Sequence, residues 1–283
     1  MQLLVHPFFD PDTYSFSYVV VHPQTGSSAI IDPVLNYDCD TRSVSTTSAD
    51  AILEFVSANE LLVEWILETH VHADHVSAAR YLKSRLVCAQ TAISAQVVQV
   101  QAQVAAQFGV SLASDGSQFD RLLEDGDRIC LGHVCGRVMH TPGHTPACAT
   151  YIFDDKAFVG DTLFMPDFGT GRCDFPNGCA HRLRQSIDKI FALPDDTKLF
   201  MCHDYGPNGR DIRYLTTVAE EKRANIHVAQ GIPRDRFVAQ RRSRDESLRP
   251  PALLVPAVTA NVQGGYCGTY EHARYQHGTE CAG

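Results

Sequence analysis

Four metal-ligating side chains fall within six consecutive positions of Thr69-His70-Val71-His72-Ala73-Asp74-His75, directly after the apolar run Leu61 to Leu67. This constrains the fold tightly, because a buried strand must end where the loop begins and the loop must face a cavity. Alternate side chains leaving a strand share one direction. His70 and His72 are therefore expected to point together while Asp74 and His75 turn toward a neighbouring position, so that one loop serves two metal sites.

Three further candidates recur in the same setting. His144 lies in His140-Thr141-Pro142-Gly143-His144-Thr145, Asp161 in Val159-Gly160-Asp161-Thr162 and His203 in Cys202-His203-Asp204-Tyr205. Each follows a run that reads as a strand: Val134 to Met139, Ala157 to Val159 and Leu199 to Cys202. The candidates thus sit where strands give way to loops at a sheet edge, the usual place for function on a rigid scaffold. That recurrence separates them from incidental surface histidines.

Composition narrows the class. The 283 residues, 44% of them hydrophobic, supply a substantial core and suggest one domain over 1–283, with 230–283 as its C-terminal extension. Lys and Arg number 24 against 33 Asp and Glu, a net charge of −9. Such a balance argues against a nucleic-acid partner, whose phosphates need neutralising. The start Met1-Gln2-Leu3-Leu4-Val5-His6 has no basic segment leading an apolar core, and no run approaches the roughly 20 apolar residues of a membrane span. A soluble, cytoplasmic protein without a membrane partner is expected.

Ten cysteines are scattered with no Cys-x-x-Cys pair. They read as reduced thiols packed as small hydrophobes, at least seven of them in that role. Cys173 and Cys179 flank an expected active-site loop and are candidates for a redox or sulfur-relay role.

Along the chain, Tyr14 to Val21 and Ser28 to Asp32 form an expected hairpin through His22-Pro23-Gln24-Thr25-Gly26. Ser48 is the expected N-cap of a helix over Ala49 to Asn59. Helices are also expected over Ser77 to Leu86, Ile93 to Phe108 (ending at Gly109), His181 to Phe191 and Thr216 to Ala229, with strands between Arg121 and Val159 and at Lys198 to Cys202. Two packed sheets with helices outside follow. Arg234 to Arg249 is arginine-rich and reads as a solvated helix face, or as a cationic rim that draws in an anionic thiol. The tail after Gly278 is expected to lack order without a partner.

Together the Thr69 to His75 motif, His144, Asp161 and His203 resemble the metallo-β-lactamase superfamily over roughly Tyr14 to Tyr205. The resemblance implies an α/β (α+β) fold, the αββα sandwich of two mixed sheets flanked by helices, with a metal cavity at one sheet edge. It assigns His70, His72 and His144 to one metal position and Asp74, His75 and His203 to the other, with Asp161 between. Imidazoles and carboxylates of this kind suit zinc, iron or manganese.

Within that superfamily, Thr162-Leu163-Phe164-Met165-Pro166-Asp167-Phe168-Gly169-Thr170-Gly171-Arg172-Cys173-Asp174-Phe175 and His203-Asp204-Tyr205 look like the persulfide (sulfur) dioxygenases. Phe164-Met165-Pro166-Asp167 and Thr216-Thr217-Val218-Ala219-Glu220-Glu221-Lys222-Arg223 most resemble the branch labelled β-lactamase hydrolase-like. The resemblance implies one Fe(II) per chain on His70, His144 and Asp161, and oxidation of a persulfide such as glutathione persulfide by O2 to sulfite and thiol. His72, Asp74, His75 and His203 would orient the triad or form a second site, with Asp74 moving protons. Tyr205 would donate to bound oxygen, and Arg172 would contact substrate or shape its loop. Relatives are often homodimers or homotetramers. This chain departs from the family at Gln263, where an arginine that helps hold the thiol is expected, and a neutral amide lacks that charge-assisted contact.

The rival reading is a dinuclear zinc hydrolase of the glyoxalase II-like thioesterase type, with two Zn per chain. His133 and His140 match its missing extra histidine only by residue type. A non-catalytic metal-binding scaffold is the third alternative.

Overall fold

The fold is described from a computed structural model covering residues 2–267. One six-stranded sheet has the spatial order Leu4–Asp10, Ser15–Val21, Ser27–Ile31, Leu62–Leu67, Gln90–Ser94 and Arg121–Leu123. Its first three strands are antiparallel and the rest run parallel. The second six-stranded sheet follows chain order: Arg128–Leu131, Val134–His140, Ala149–Phe153, Lys156–Phe158, Lys198–Phe200 and Leu215–Thr217. Only the pair Lys156–Phe158 and Lys198–Phe200 is parallel.

Strand periodicity explains the layering. In Ser15–Val21, which is buried throughout, Phe16, Tyr18 and Val20 enter the core between the sheets, where they meet Tyr151, Phe153, Phe158 and Phe200. Val19 and Val21 point the other way and pack with Ile52 and Val56 of helix α1 (Thr47–Ala58). Such a two-faced strand must be covered on both sides. Helices α2 (Ala79–Lys83) and α3 (Val97–Phe108) complete the first half, and α3 ends at Gly109, which takes the left-handed conformation at φ 68°. On the second sheet, Leu183, Ile187 and Ile190 of α4 (Ala180–Phe191) bury a face against Ala157 and Leu199. After α5 (Val218–Ala224), Phe237 and Val238 of α6 (Arg234–Glu246) join the same layer. The short α7 (Leu254–Asn261) returns to the first half beside the strand Val76–Ser77. The mixed sheets flanked by helices are those expected, and no helix among the described residues is long and apolar enough to cross a membrane.

Several local expectations change. Thr46, not Ser48, stands at the N-cap of α1, because Ser48 Oγ donates to Asp10 Oδ1 (2.9 Å) instead. Ser77 belongs to a strand whose N–H is taken by Asn261 Oδ1 (2.8 Å), so α2 begins later. Ile93 lies in the strand Gln90–Ser94, where pairing with its neighbours outweighs helix periodicity. Thr216 lies within the strand Leu215–Thr217, and Thr217 Oγ1 caps α5 by accepting from Glu220 N–H (3.2 Å). The edge strand Leu4–Asp10 was not foreseen. Cys130 and Cys135 are not reduced thiols: the hairpin sets them directly opposite each other, with Cα atoms 3.9 Å apart, and they form a disulfide. The tail after Gly278 lies outside the described residues.

Candidate metal centre

The two sheets meet at one end, where Ser15 and His203 form a bridge and Phe16 N–H donates to Cys202 O (2.7 Å). All seven expected ligands converge there, none more than slightly exposed except Asp74, which is intermediate. They fall into two groups, each with its ligand atoms within 4.8 Å of one another: His70, His144 and Asp161, and His72, Asp74, His75 and His203. Asp161 Oδ2 lies 3.5 Å from His144 Nε2 and 3.9 Å from His70 Nε2. Its Oδ1 lies 3.4 Å from His203 Nε2, so this carboxylate stands between the groups.

Hydrogen bonds fix which nitrogen of each imidazole faces the centre. His144 Nδ1 donates to the Arg172 carbonyl (2.7 Å), leaving Nε2 as its lone-pair atom. His70 Nδ1 donates to Thr69 Oγ1 (3.0 Å), which donates onward to Asp32 Oδ2 (2.8 Å). His72 is held the opposite way round, its Nε2 donating to Asp32 Oδ1 (3.0 Å). The inward atom of His72 is therefore Nδ1, which clusters with the ligand atoms of Asp74, His75 and His203, while the His72 ring also lies beside that of His70 (centroids 4.0 Å). One hydroxyl, Ser15 Oγ, receives both His75 Nδ1 (3.3 Å) and His203 Nδ1 (3.2 Å). Anchoring the outer nitrogen in this way orients metal-binding imidazoles.

The inward atoms have no such partners. His70 Nε2, His72 Nδ1, Asp74 Oδ2, His75 Nε2, Asp161 Oδ1 and His203 Nε2 are buried without a hydrogen bond. Buried polar atoms in a native fold are rarely left so, and six together in one cluster of nitrogen and carboxylate donors fit one or two metal ions.

Charge follows the geometry. Burial, reinforced by the neighbouring imidazoles, holds His70 well below the ordinary histidine value. Burial opposes a charge on His72 too, but Asp32 outweighs it and raises His72 well above that value. Burial works against the Asp74 carboxylate, yet His203 and His75 hold it far below the usual range. Asp32 and Ser15 had not been singled out from sequence. Glu68 Oε2 lies 3.4 Å from His72 Nε2, and its Oε1 accepts from Ser77 Oγ.

The centre opens into a cleft of about 400 Å³ walled by Phe164, Phe168, Phe175 and Tyr205. Tyr205 stacks on the His203 ring (centroids 5.9 Å, planes 13°) and is 39% exposed, so its ring reaches from the ligands to the opening. Arg172 also lines the cleft, but Nε and Nη2 engage Asp174 (2.6 and 2.5 Å) and Nη1 donates to Arg249 O (2.8 Å). Its side chain braces the loop whose carbonyl orients His144. Gln263 is absent from this wall, its amide donating to Thr259 O (2.7 Å). Cys173 and Cys179 line a neighbouring cleft, and burial pushes the Cys173 thiol up, away from the thiolate a relay needs.

Comparison with known proteins agrees with this geometry. The sequence profile of the metallo-beta-lactamase superfamily matches residues 10–203. A protein described as a probable metallo-hydrolase of Burkholderia pseudomallei is 50% identical, over 93% of each chain. The human mitochondrial persulfide dioxygenase ETHE1 is 32% identical, over 79% of this chain and 75% of its own. The crystal structure of ETHE1 from Myxococcus xanthus superposes with a TM-score of 0.74 at 31% identity, covering 93% of this chain and all (100%) of that one.

Proposed function

The chain belongs to the metallo-beta-lactamase superfamily, and we propose that within it the protein is an iron-dependent persulfide dioxygenase. The observation that carries this reading is the separate convergence of two imidazoles and one carboxylate, His70, His144 and Asp161. Two histidines and a carboxylate leave adjoining positions of an octahedral ion open, the arrangement of non-haem Fe(II) oxygenases. Iron(II) held by those three residues supplies the electron-transfer chemistry that lets dioxygen react with a sulfur anion. Similarity to the two ETHE1 proteins supports the choice.

The overall balance is RSSH + O2 + H2O → RSH + SO3²⁻ + 2H⁺, with glutathione persulfide as an example substrate. The protein must place the terminal sulfur at the ligands, keep bulk water away and take up protons. Phe164, Phe168 and Phe175 form the apolar walls that exclude water. Asp74, at the cleft and 3.1 Å from His203 Nε2, passes protons outward in this reading. Tyr205, stacked on His203, offers its hydroxyl as a donor to the reacting oxygen atoms. Holding the reactants side by side makes a bimolecular oxidation effectively intramolecular.

The second donor group, His72, Asp74, His75 and His203, favours one other reading, a dinuclear zinc hydrolase of the glyoxalase II-like thioesterase type. Elemental analysis of protein purified without added metal, paired with an oxygen-electrode trace and a thioester assay, separates the two. Iron near one per chain with oxygen uptake on adding persulfide is the expected result. Two zinc ions per chain, thioester cleavage and no oxygen uptake would overturn the assignment.

A further inference from the structure

Four arginines line the cleft, and the structure divides them into two kinds. Arg172 is paired with Asp174, while buried Arg241 is paired with Asp245 (2.6 Å) and donates to Thr170 O (3.0 Å). Arg244, near the end of α6, and Arg249 just beyond it are exposed, and neither guanidinium has a carboxylate partner among the described residues. Arg244 sits over the Phe168 ring at 5.8 Å. Phe168 packs on Tyr205 at 4.8 Å, and Tyr205 stacks on His203. One continuous aromatic wall therefore runs from the metal ligands to an unneutralised cation at the mouth. The acidic groups facing the same cleft are Asp12, Asp74 and Asp161; the last two belong to the ligand cluster, and Asp12 is exposed.

A free cation pair at the mouth of one cleft, on a chain whose net charge is −9, points to an anionic ligand. We infer that Arg244 and Arg249 bind a carboxylate of the substrate remote from its reacting sulfur, so that the cleft selects thiol carriers bearing a carboxylate. The sulfur-bearing nature of the carrier rests on the proposed function; the carboxylate does not. Anion recognition then comes from α6 and the segment after it, and Gln263, turned onto its own helix, takes no part.

The test is equilibrium binding of glutathione, which carries two carboxylates, and of its diethyl ester to the metal-loaded enzyme by calorimetry. Wild type is compared with the double variant Arg244→Gln/Arg249→Gln and with the double lysine variant. Wild type should prefer glutathione by about ten- to a hundredfold, the range for hydrogen bonds to charged groups. The glutamine variant should lose that preference, its affinity for the acid falling to that for the ester, and lysine should restore part of it. Metal content and thermal midpoint, followed in parallel, report any change in fold. Equal wild-type affinity for acid and ester, or a preference that survives in the glutamine variant, would overturn the inference. Binding needs no turnover, so a carboxylate preference with no persulfide consumption would refute the dioxygenase reading and leave this one standing.

Discussion

Asn261 holds the carbonyl of His72 at 2.9 Å across 189 residues of sequence. The same amide nitrogen donates to His75 O (2.8 Å), and its oxygen accepts from Ser77 N–H, so one side chain clamps the ligand loop at three points. Because the amide is buried, Asn261→Ala leaves two carbonyls and one N–H unsatisfied. A loss of about 2–4 kcal/mol is expected from urea titration, on the usual cost of a stranded buried group. Metal affinity, read by competition with a chelator, should fall by roughly 10–100-fold, as when the outer supports of ligands are removed. Unchanged affinity would show that the loop holds its shape without α7.

Ser15 separates the one-metal from the two-metal reading. Its hydroxyl supports His75 and His203 but touches neither His70 nor His144. In Ser15→Ala, iron content near one per chain should persist and kcat should fall no more than about tenfold, because the triad keeps its own supports through Thr69 and the Arg172 carbonyl. A variant that loses a second metal equivalent and its activity together would favour the dinuclear hydrolase.

Gly171 tests the placement of Asp161. A Cβ built there meets the Asp161 carbonyl oxygen at 2.0 Å, a backbone atom that cannot swing aside. Gly171→Ala should therefore displace the carboxylate standing between the two donor groups, lower the metal content and cost about 1–3 kcal/mol in stability, the usual range for overpacking. Normal metal stoichiometry in this variant would count against Asp161 as a ligand.

Much of the centre was legible in the sequence because its signals are local. The Thr69 to His75 motif, His144, Asp161 and His203 each lie at a strand end, and the alternation of Phe16, Tyr18 and Val20 against Val19 and Val21 already implies a sheet covered on both faces. The supports were not legible, because a lone Asp32 after an apolar run, a Ser15 at a strand start or an Asn261 in a C-terminal helix carries no local mark of its partner. Which nitrogen of His72 faces inward was not legible for the same reason: Asp32 decides it, and only the fold brings Asp32 there. The Cys130–Cys135 disulfide depends on hairpin register around Gly132, which spacing alone did not reveal.

The last prediction concerns pH and a residue outside the candidate metal centre. Glu221 on α5 is fully buried, accepts from Asn225 Nδ2 (2.6 Å) at one oxygen and leaves Oε1 without a partner. Burial, with the nearby charges of Glu220 and Asp167 adding to it, pushes its carboxyl up to about 8. The unfolded chain ionises this group near the ordinary value of about 4.3, so between there and about 8 the folded state binds more protons than the unfolded one. Stability from this group is therefore complete below about 4.3, is lost as pH rises through the window, and stays lost above it. Glu221→Gln should remove the slope: its thermal midpoint should match wild type near pH 4.5 and exceed it increasingly up to about pH 8.5. The difference in unfolding free energy should open by as much as about 1.4 kcal/mol for each unit by which the carboxyl is raised. Parallel melting curves for the two proteins across pH 5 to 9 would show instead that Glu221 ionises without penalty, and that a water or a backbone donor satisfies the oxygen left unpaired.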